Sequence, residues 1–253
     1  MKTVLAVIVL GLCLVGCGKK EPLTLEQKAA AGDAKAQYDL ARMYELGEGV
    51  PKDDKEAMKW YRKAAEQGVA KAQHNLGLKY ELGEGVPKDD KEAMKWFRKA
   101  AEQGHLGGQY NLGRMYDNGI GVPKDFKEAV KWYRKAAEQG FAYAQISLGM
   151  MYANGKGVPQ DIKEAVKWFR KAAEQGHALA QAVLGASFFD GLGVLEDYAT
   201  AYAWMNIAAA NGNAKAKKNK GIIAKKMTPD QIAKGEALAK EMIKKNPKLL
   251  KKK

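Results

Sequence analysis

Side chains that could form a covalent intermediate are scarce in this sequence. The 253 residues include two serines, Ser147 and Ser187, two cysteines, Cys13 and Cys17, and three histidines. A hydrolase with a serine or cysteine nucleophile needs a histidine or another base beside it. The composition therefore offers few parts for such a site, and the sequence predicts that the protein is not an enzyme.

Metal and phosphate sites are also poorly supported. His105 and His177 are 72 residues apart, His74 lies elsewhere, and no His-Glu-x-x-His motif occurs. A zinc site needs three or four clustered ligands, so we expect neither a metal nor another cofactor. Recurring Gly-x-Gly pairs follow predicted helices rather than strands, which indicates helix caps instead of a phosphate-binding loop. Paired acids such as Asp53-Asp54 begin helices and are interpreted as caps too.

One cysteine has a different predicted chemistry. Met1-Lys2 precedes an apolar run at residues 4–14, an order typical of an export signal. The run is shorter than the roughly 20 residues that span a bilayer. It ends in Leu-Val-Gly-Cys at residues 14–17, which resembles the bacterial lipobox, where a peptidase cleaves before a cysteine that carries diacylglycerol. We expect a signal peptide at residues 1–16, lipidation of Cys17 and a lipid-anchored linker at residues 17–24; an ordinary secretory signal is the alternative.

The residue after the cysteine suggests a destination. In lipoproteins of this kind an aspartate there retains the protein in the inner membrane, and Gly18 occupies the position here. We therefore expect a protein of the bacterial envelope, held at the outer membrane by its N-terminal lipid and facing the periplasm. This location argues against nucleic acid as a partner.

The rest of the chain repeats every 36 residues, which decides the fold class. Glycines and glutamines recur at this step, and so do all five tryptophans. The tryptophans are Trp60, Trp96, Trp132, Trp168 and Trp204.

Each unit reads as two helices. In the first helix, Ala36, Leu40 and Tyr44 form an apolar stripe at four-residue spacing. The second helix begins with the pattern of a capping box, Asp53 and Glu56, in which the glutamate reaches back to the cap. A single helix pair of this length cannot bury its own apolar face. Stacking of the pairs is required, and the predicted product is an all-α solenoid.

The repeated frame resembles a known family. Ala-Gln-x-x-Leu-Gly-x-x-Tyr-x-x-Gly-x-Gly-Val-Pro, continuing to Lys-Glu-Ala-x-x-Trp, is nearly whole at residues 72–96 and 144–168 and is similar to the Sel-1-like repeat, a relative of the tetratricopeptide repeat. The resemblance implies a right-handed superhelix of five repeats over residues 25–212. Such proteins bind other proteins on their concave side and are commonly non-enzymatic. A cysteine-rich branch is associated with β-lactams, but these repeats lack its paired cysteines.

Residues 213–253 differ from the repeats in charge. They hold 14 lysines against three acidic residues, whereas the whole chain has a net charge of +14. We interpret the segment as capping helices and a tail that shield the last repeat. One hypothesis is that its lysines attract anionic headgroups or an acidic protein. The other is a solvated helix face followed by a frayed tail at residues 248–253.

Positions that differ between units on the first helix predict the partner-binding groove, which we expect to change from polar to apolar along its length. The alternative is that the C-terminal helix covers the apolar end through Ile232, Leu238 or Met242. The predicted groove residues are Tyr38, Arg42, His74, Tyr110, Arg114, Tyr143, Ile146, Met150 and Phe189.

The resemblance narrows the expected function. Lipoproteins of this repeat class include immunity proteins that neutralise type VI-secreted phospholipase effectors in the periplasm, and this is the favoured interpretation. A scaffold for outer-membrane or exopolysaccharide assembly is the first alternative. A β-lactam-binding or β-lactam-hydrolysing enzyme is the second.

Overall fold

A computed structural model describes residues 23–250 of the chain. The predicted signal peptide, Cys17 and most of the predicted linker lie outside these residues. The described part contains thirteen α-helices and one short 3-10 helix, and no strand occurs in it. The helices are α1 Leu25–Ala30, α2 Ala34–Leu46, α3 Asp54–Glu66, α4 Ala70–Leu82, α5 Asp90–Glu102, α6 Leu106–Asn118, α7 Phe126–Glu138, α8 Ala142–Asn154, α9 Ile162–Glu174, α10 Ala178–Asp190, α11 Tyr198–Ala210, α12 Ala214–Ala224 and α13 Pro229–Lys245, with the 3-10 helix at Pro247–Leu249.

The helices α2 to α11 form five pairs that stack in chain order, each helix packing against the next. This confirms the predicted α-solenoid. A short helix of six residues, α1, precedes the first pair. No helix between residues 23 and 250 is long and apolar enough to cross a membrane.

Glycines make the turns within and between the units. Gly47 ends α2 with φ of 72°, a left-handed conformation that few other residues adopt without strain. From the second unit onward, the second glycine of the Gly-x-Gly pair has a further role. A Cβ atom on Gly85 would lie 2.2 Å from the main-chain oxygen of Asp54, so only glycine allows this loop to meet the preceding unit.

The second helices begin differently from the prediction. Asp53 caps α3 by accepting from the amides of Lys55 and Glu56 at 2.9 and 3.1 Å. The side chain of Glu56 does not return to the cap, because the ammonium group of Lys59 lies 3.1 Å away one turn later. Among the described helices, complete capping boxes occur at Thr24 and Thr228.

Four of the five tryptophans are buried, as the repeat pattern predicts, and Trp60 is half-buried. The difference follows from its place in the first unit, where only the short α1 precedes the first helix pair. Lysine side chains cover the rings from the solvent side. The ammonium group of Lys99, for example, lies 4.1 Å from the centre of the Trp96 ring.

The C-terminal helix α13 packs against α11 and not across the first helices. Gly235 lies against the Tyr202 ring, and Leu238 and Met242 join the buried cluster that contains Trp204. The alternative in which this helix covers the apolar end of the groove is therefore wrong. Its apolar residues lie on the second-helix side, where Leu238 and Met242 pack against the cluster that contains Trp204.

The chain end also differs from a frayed tail. Leu249 is buried, and its carbonyl oxygen accepts hydrogen bonds from the side chains of Gln181 and Asn211 at 2.8 and 2.6 Å. The side-chain amide of Asn246 donates to the carbonyl of Glu174 at 2.9 Å. Residues 246–249 are thus fixed on the last repeat, because Leu249 supplies an apolar anchor among the lysines.

Candidate functional site

The exposed sides of α2, α4, α6, α8, α10 and α12 form one continuous surface, which we call the first-helix face. Side chains on successive first helices touch across it. The ring centres of His74 and His105 are 4.7 Å apart, those of Tyr110 and Tyr143 6.2 Å, and those of Tyr143 and His177 5.0 Å. The varying positions of the repeat therefore do share a face, as the sequence predicts.

The first half of this face is polar. Arg42 is exposed, and Arg114 donates to the carboxylate of Glu81 on the neighbouring first helix at 2.6 Å. This ion pair joins the second and third units and is partly buried. Arg114 thus already forms an ion pair within the protein, and the sequence alone did not indicate this pairing.

A buried lysine between the first and second units was missed by sequence reasoning. Lys79 is 3% exposed, and its ammonium group lies 2.9 Å from Glu45, 3.2 Å from Asp54 and 2.8 Å from Glu84. Burial alone would lower the pKa of Lys79, but the hydrogen bonds that its ammonium group donates to Glu45 and Glu84 outweigh burial and raise the pKa above its ordinary value. The equivalent positions hold Met43, Met115, Met151 and Ser187, so a comparison of the units could have revealed it.

His74 lies between the second and third units and is largely buried. Its Nε2 atom is 3.1 Å from the side-chain nitrogen Nδ2 of Asn111, and its ring also packs on Phe97. Burial, together with the smaller effect of the nearby His105, lowers the pKa of His74 to about 4. Burial lowers the pKa of His105 as well, helped by the charge of Lys71. His74 is therefore neutral at neutral pH and acts mainly as a packing residue.

The centre of the face is an aromatic cluster. Tyr110, Phe141 and Tyr143 contact one another with ring centres 5.5 to 6.2 Å apart, and His177 stands edge-on to Tyr143. Phe141 and His177 precede the first residues of α8 and α10 and were not predicted as site residues. They occupy the position of the helix cap, where Asp33 accepts a hydrogen bond in the first unit, and that change of residue type was the available signal.

Apolar side chains continue from this cluster toward the C-terminal end. Tyr143 is 55% exposed, Met150 42%, Leu179 44% and Ile222 47%. The equivalent positions in the first unit hold Lys35 and Arg42. The face therefore changes from polar to apolar along the solenoid, as predicted.

The remaining predicted residues are less accessible. Tyr38 is half-buried on the ring of Tyr61, and Phe189 is half-buried on Tyr198. Ile146 is only 6% exposed, so its prediction as an exposed groove residue is wrong. The reason is the length of the side chain. Tyr110, at the same position one unit earlier, reaches past the ring of Tyr133 on the following second helix, whereas the shorter Ile146 ends in the buried cluster that contains Phe169.

Comparison with known proteins gives the family. The Sel1 repeat model matches residues 34–69, 70–105, 107–141, 142–177 and 178–213. The chain belongs to the Sel1 repeat family. This fold typically serves as a protein-interaction scaffold rather than as a catalyst. The search of curated proteins returned no match.

Solved structures agree with this assignment. A Sel1 repeat protein from Oxalobacter formigenes is 39% identical, with a TM-score of 0.75 over 86% of this chain and 91% of that one. The c5321 protein of uropathogenic Escherichia coli, a protective antigen with an SLR fold, is 36% identical with a TM-score of 0.58; the match covers 89% of this chain but 56% of that protein. Immunity protein PA5088 from Pseudomonas aeruginosa is 26% identical over 85% of this chain and 81% of that one, with a TM-score of 0.48.

The Sel1 repeats present no set of metal-ligating groups. No cluster of three or more His, Cys, Asp or Glu side chains suited to a metal ion occurs among residues 23–250. What the first-helix face does offer is a wide surface with exposed rings, aliphatic side chains and nearby cations. Surfaces rich in tyrosine and methionine are suited to binding another protein.

Proposed function

We propose that this Sel1 repeat protein binds one protein partner through the first-helix face, with the aromatic cluster of Tyr110, Phe141 and Tyr143 at the centre of the interface. The observation that carries the proposal is that Tyr143, Met150 and Leu179 are exposed apolar side chains on two successive first helices, α8 and α10. Exposed apolar patches on soluble proteins commonly mark interaction sites. The rings are held by one another, so little side-chain freedom is lost when a partner binds.

The proposal is tested by changing the charge of this patch without disturbing the core. Tyr143→Glu with Leu179→Glu should abolish capture of the partner from a periplasmic extract, because each change places a charge in the desolvated centre of the interface. Leu195→Glu is the control for an added charge elsewhere on the surface, since Leu195 is 89% exposed in the loop after α10. Equal capture by both variants would contradict the proposal.

We propose in addition that the protein is a lipoprotein of the outer membrane that faces the periplasm, and that it acts there as an immunity protein against a type VI-secreted phospholipase. The predicted lipobox at residues 14–17 supports the location. The exposed side chains of Tyr143, Met150 and Leu179 on the same face support a site for a protein partner. A scaffold for exopolysaccharide assembly remains the alternative role for the same surface.

The immunity role is tested by co-expression with a type VI-secreted phospholipase effector directed to the periplasm. The wild type and Leu195→Glu should protect the cells, and Tyr143→Glu with Leu179→Glu should not. If the wild type and both variants leave the cells equally sensitive while the purified protein still binds a component of a polysaccharide assembly complex, the scaffold role is correct instead.

A further inference from the structure

Helix α12 follows the fifth pair and occupies the position of a first helix. It gives the C-terminal end of the first-helix face a positive charge. Residues 213–226 hold six lysines and no acidic residue. Lys220 turns toward α11, where its ammonium group donates to the side-chain oxygen of Asn206 at 3.1 Å. Lys218 and Lys225 are exposed, and the ammonium group of Lys226 lies 4.7 Å from the centre of the Phe189 ring. This end of the face is therefore cationic.

A pocket opens between α10 and α12 beside these lysines. Its volume is about 220 Å³. An engineered cavity of about 150 Å³ is large enough to hold benzene, so this pocket has room for one large apolar side chain. The lining residues are Ala186, Phe189, Asp190, Met205, Asn219, Ile222 and Ile223.

The position of α13 keeps this end of the face open. In the fifth unit a Cβ atom on Gly185 would lie 3.1 Å from the side chain of Met205 on the paired second helix. Gly221 occupies the same repeat position on α12, and nothing lies within 4 Å of a Cβ atom placed there, because α13 packs on α11 instead. The chain thus ends its array without a second helix over α12.

Helix spacing places the cations around the pocket mouth. Residues three or four positions apart share one side of a helix, so Lys218 flanks Ile222 from the preceding turn. Lys225 and Lys226 follow Ile222 by three and four residues at the end of the helix. Asp190 is the single acidic residue in the lining. An apolar pocket with a cationic rim is complementary to an apolar side chain flanked by carboxylates.

We propose that the partner presents an acidic segment that carries a large apolar side chain, and that this side chain enters the pocket between α10 and α12 while Lys218, Lys225 and Lys226 bind the flanking carboxylates. The inference rests on the proposed function and specifies the chemistry of the partner. It also makes the basic C-terminal region part of the binding surface rather than only a solvated cap.

Selection from a phage-displayed library of random short peptides tests the chemistry of the site. Peptides enriched on the full-length protein should contain Asp or Glu next to Leu, Ile, Phe or Trp, and binding of a synthetic copy should weaken as salt rises, because exposed charge pairs are screened. Replacing its apolar residue by serine should weaken binding at least about tenfold. Enrichment of neutral or basic peptides would overturn the proposal.

Charge reversal locates the site. Lys218→Glu with Lys226→Glu should weaken binding of the same synthetic peptide at least about tenfold. Lys127→Glu with Lys163→Glu is the matched control, since both lysines are exposed on second helices and the net charge change is identical. Unchanged thermal unfolding of both variants shows that neither has lost its fold. Equal weakening by both pairs would mean that net charge, and not this pocket, attracts the peptide.

Two outcomes separate this inference from the proposed function. If selected peptides are not acidic but lose binding with Tyr143→Glu, the first-helix face binds protein and the basic pocket is not the site. If Lys218→Glu with Lys226→Glu leaves peptide binding unchanged yet abolishes flotation with phosphatidylglycerol-containing vesicles, the lysines bind lipid and the proposal is overturned. Pure phosphatidylcholine vesicles are the control for the second measurement.

Discussion

The side-chain amide of Gln103 donates a 2.7 Å hydrogen bond to the side-chain oxygen of Gln73, and Gln73 in turn donates to the carbonyl of Ala65 at 3.0 Å. Three successive helices, α3, α4 and α5, are joined by these two bonds. The same pair of bonds recurs in every unit, with Asn211 replacing the outer glutamine in the fifth. The inner residues of this ladder are Gln37, Gln73, Gln109, Gln145 and Gln181.

Gln109→Ala tests the ladder in the central unit. The change removes the donor to Ala101 and the acceptor from Gln139, which are 3.3 and 2.9 Å away. A buried polar group left without a partner costs about 1–3 kcal/mol, so the free energy of unfolding should fall by about that amount in urea titration. Gln160→Ala, which removes an exposed hydrogen bond, should change it by less than about 0.5 kcal/mol. Equal effects would show that the ladder is not a stabilising feature.

Trp132→Ala tests the packing of the tryptophan series. Trp132 is buried, and the deletion of a buried aromatic side chain costs about 3–5 kcal/mol. Lys131→Ala on the neighbouring exposed position should change the free energy of unfolding by less than about 0.5 kcal/mol. Trp60→Ala should lie between them, because Trp60 is half-buried. Similar urea midpoints for the variants of Trp132 and Lys131 would mean that the packing face is wrongly assigned.

His74 predicts how stability depends on pH. Its pKa is about 4 in the folded protein, below the ordinary value near 6.5, so the unfolded chain binds the proton more readily. Stability should therefore be constant above about pH 7 and fall by up to about 3 kcal/mol as pH decreases from 6.5 to 4. His105, whose pKa is also lowered, adds to the same trend.

The variant His74→Gln should remove the larger part of this pH dependence in chemical denaturation at a series of pH values. Measurement of both proteins at pH 8 separates the titration from any loss of packing, because His74 is neutral there in both the folded and the unfolded protein. A slope between pH 6.5 and 4 that is the same in both proteins would show that His74 is not the titrating group.

Cys17→Ser tests the predicted anchor. The change removes the thiol that would carry the lipid, so the precursor should remain uncleaved and should no longer fractionate with the outer membrane. Metabolic labelling with palmitate, followed by membrane fractionation, measures both effects. A processed variant that stays in the outer membrane would show that the protein is held there by another route.

Much of the fold could be predicted because every unit repeats the same local signals. The tryptophan spacing and the glycine that ends α2 indicate helix length and turn position before any long-range contact is considered. The start of α13 is also determined locally, because Thr228 and Gln231 form a complete capping box. These features depend on residues only a few positions apart.

The details of the site depend on contacts between units, and periodicity does not specify them. Whether Ile146 is exposed depends on how it packs against the neighbouring Phe169 ring. The ion-pair partner of Arg114 is a glutamate 33 residues earlier in the sequence. The burial of Leu249 likewise depends on where α13 places the chain end. The sequence could therefore predict which face varies, but not which of its side chains reach solvent.

The most direct test of partner binding by the first-helix face is photo-crosslinking in living cells, with p-benzoylphenylalanine in place of Tyr143 or, as the control, Leu195. Both side chains are exposed, so both probes are free to react. The account predicts a discrete protein adduct from the Tyr143 position and none from the Leu195 position. Adducts of equal yield from both positions, or an adduct from Leu195 alone, would contradict it.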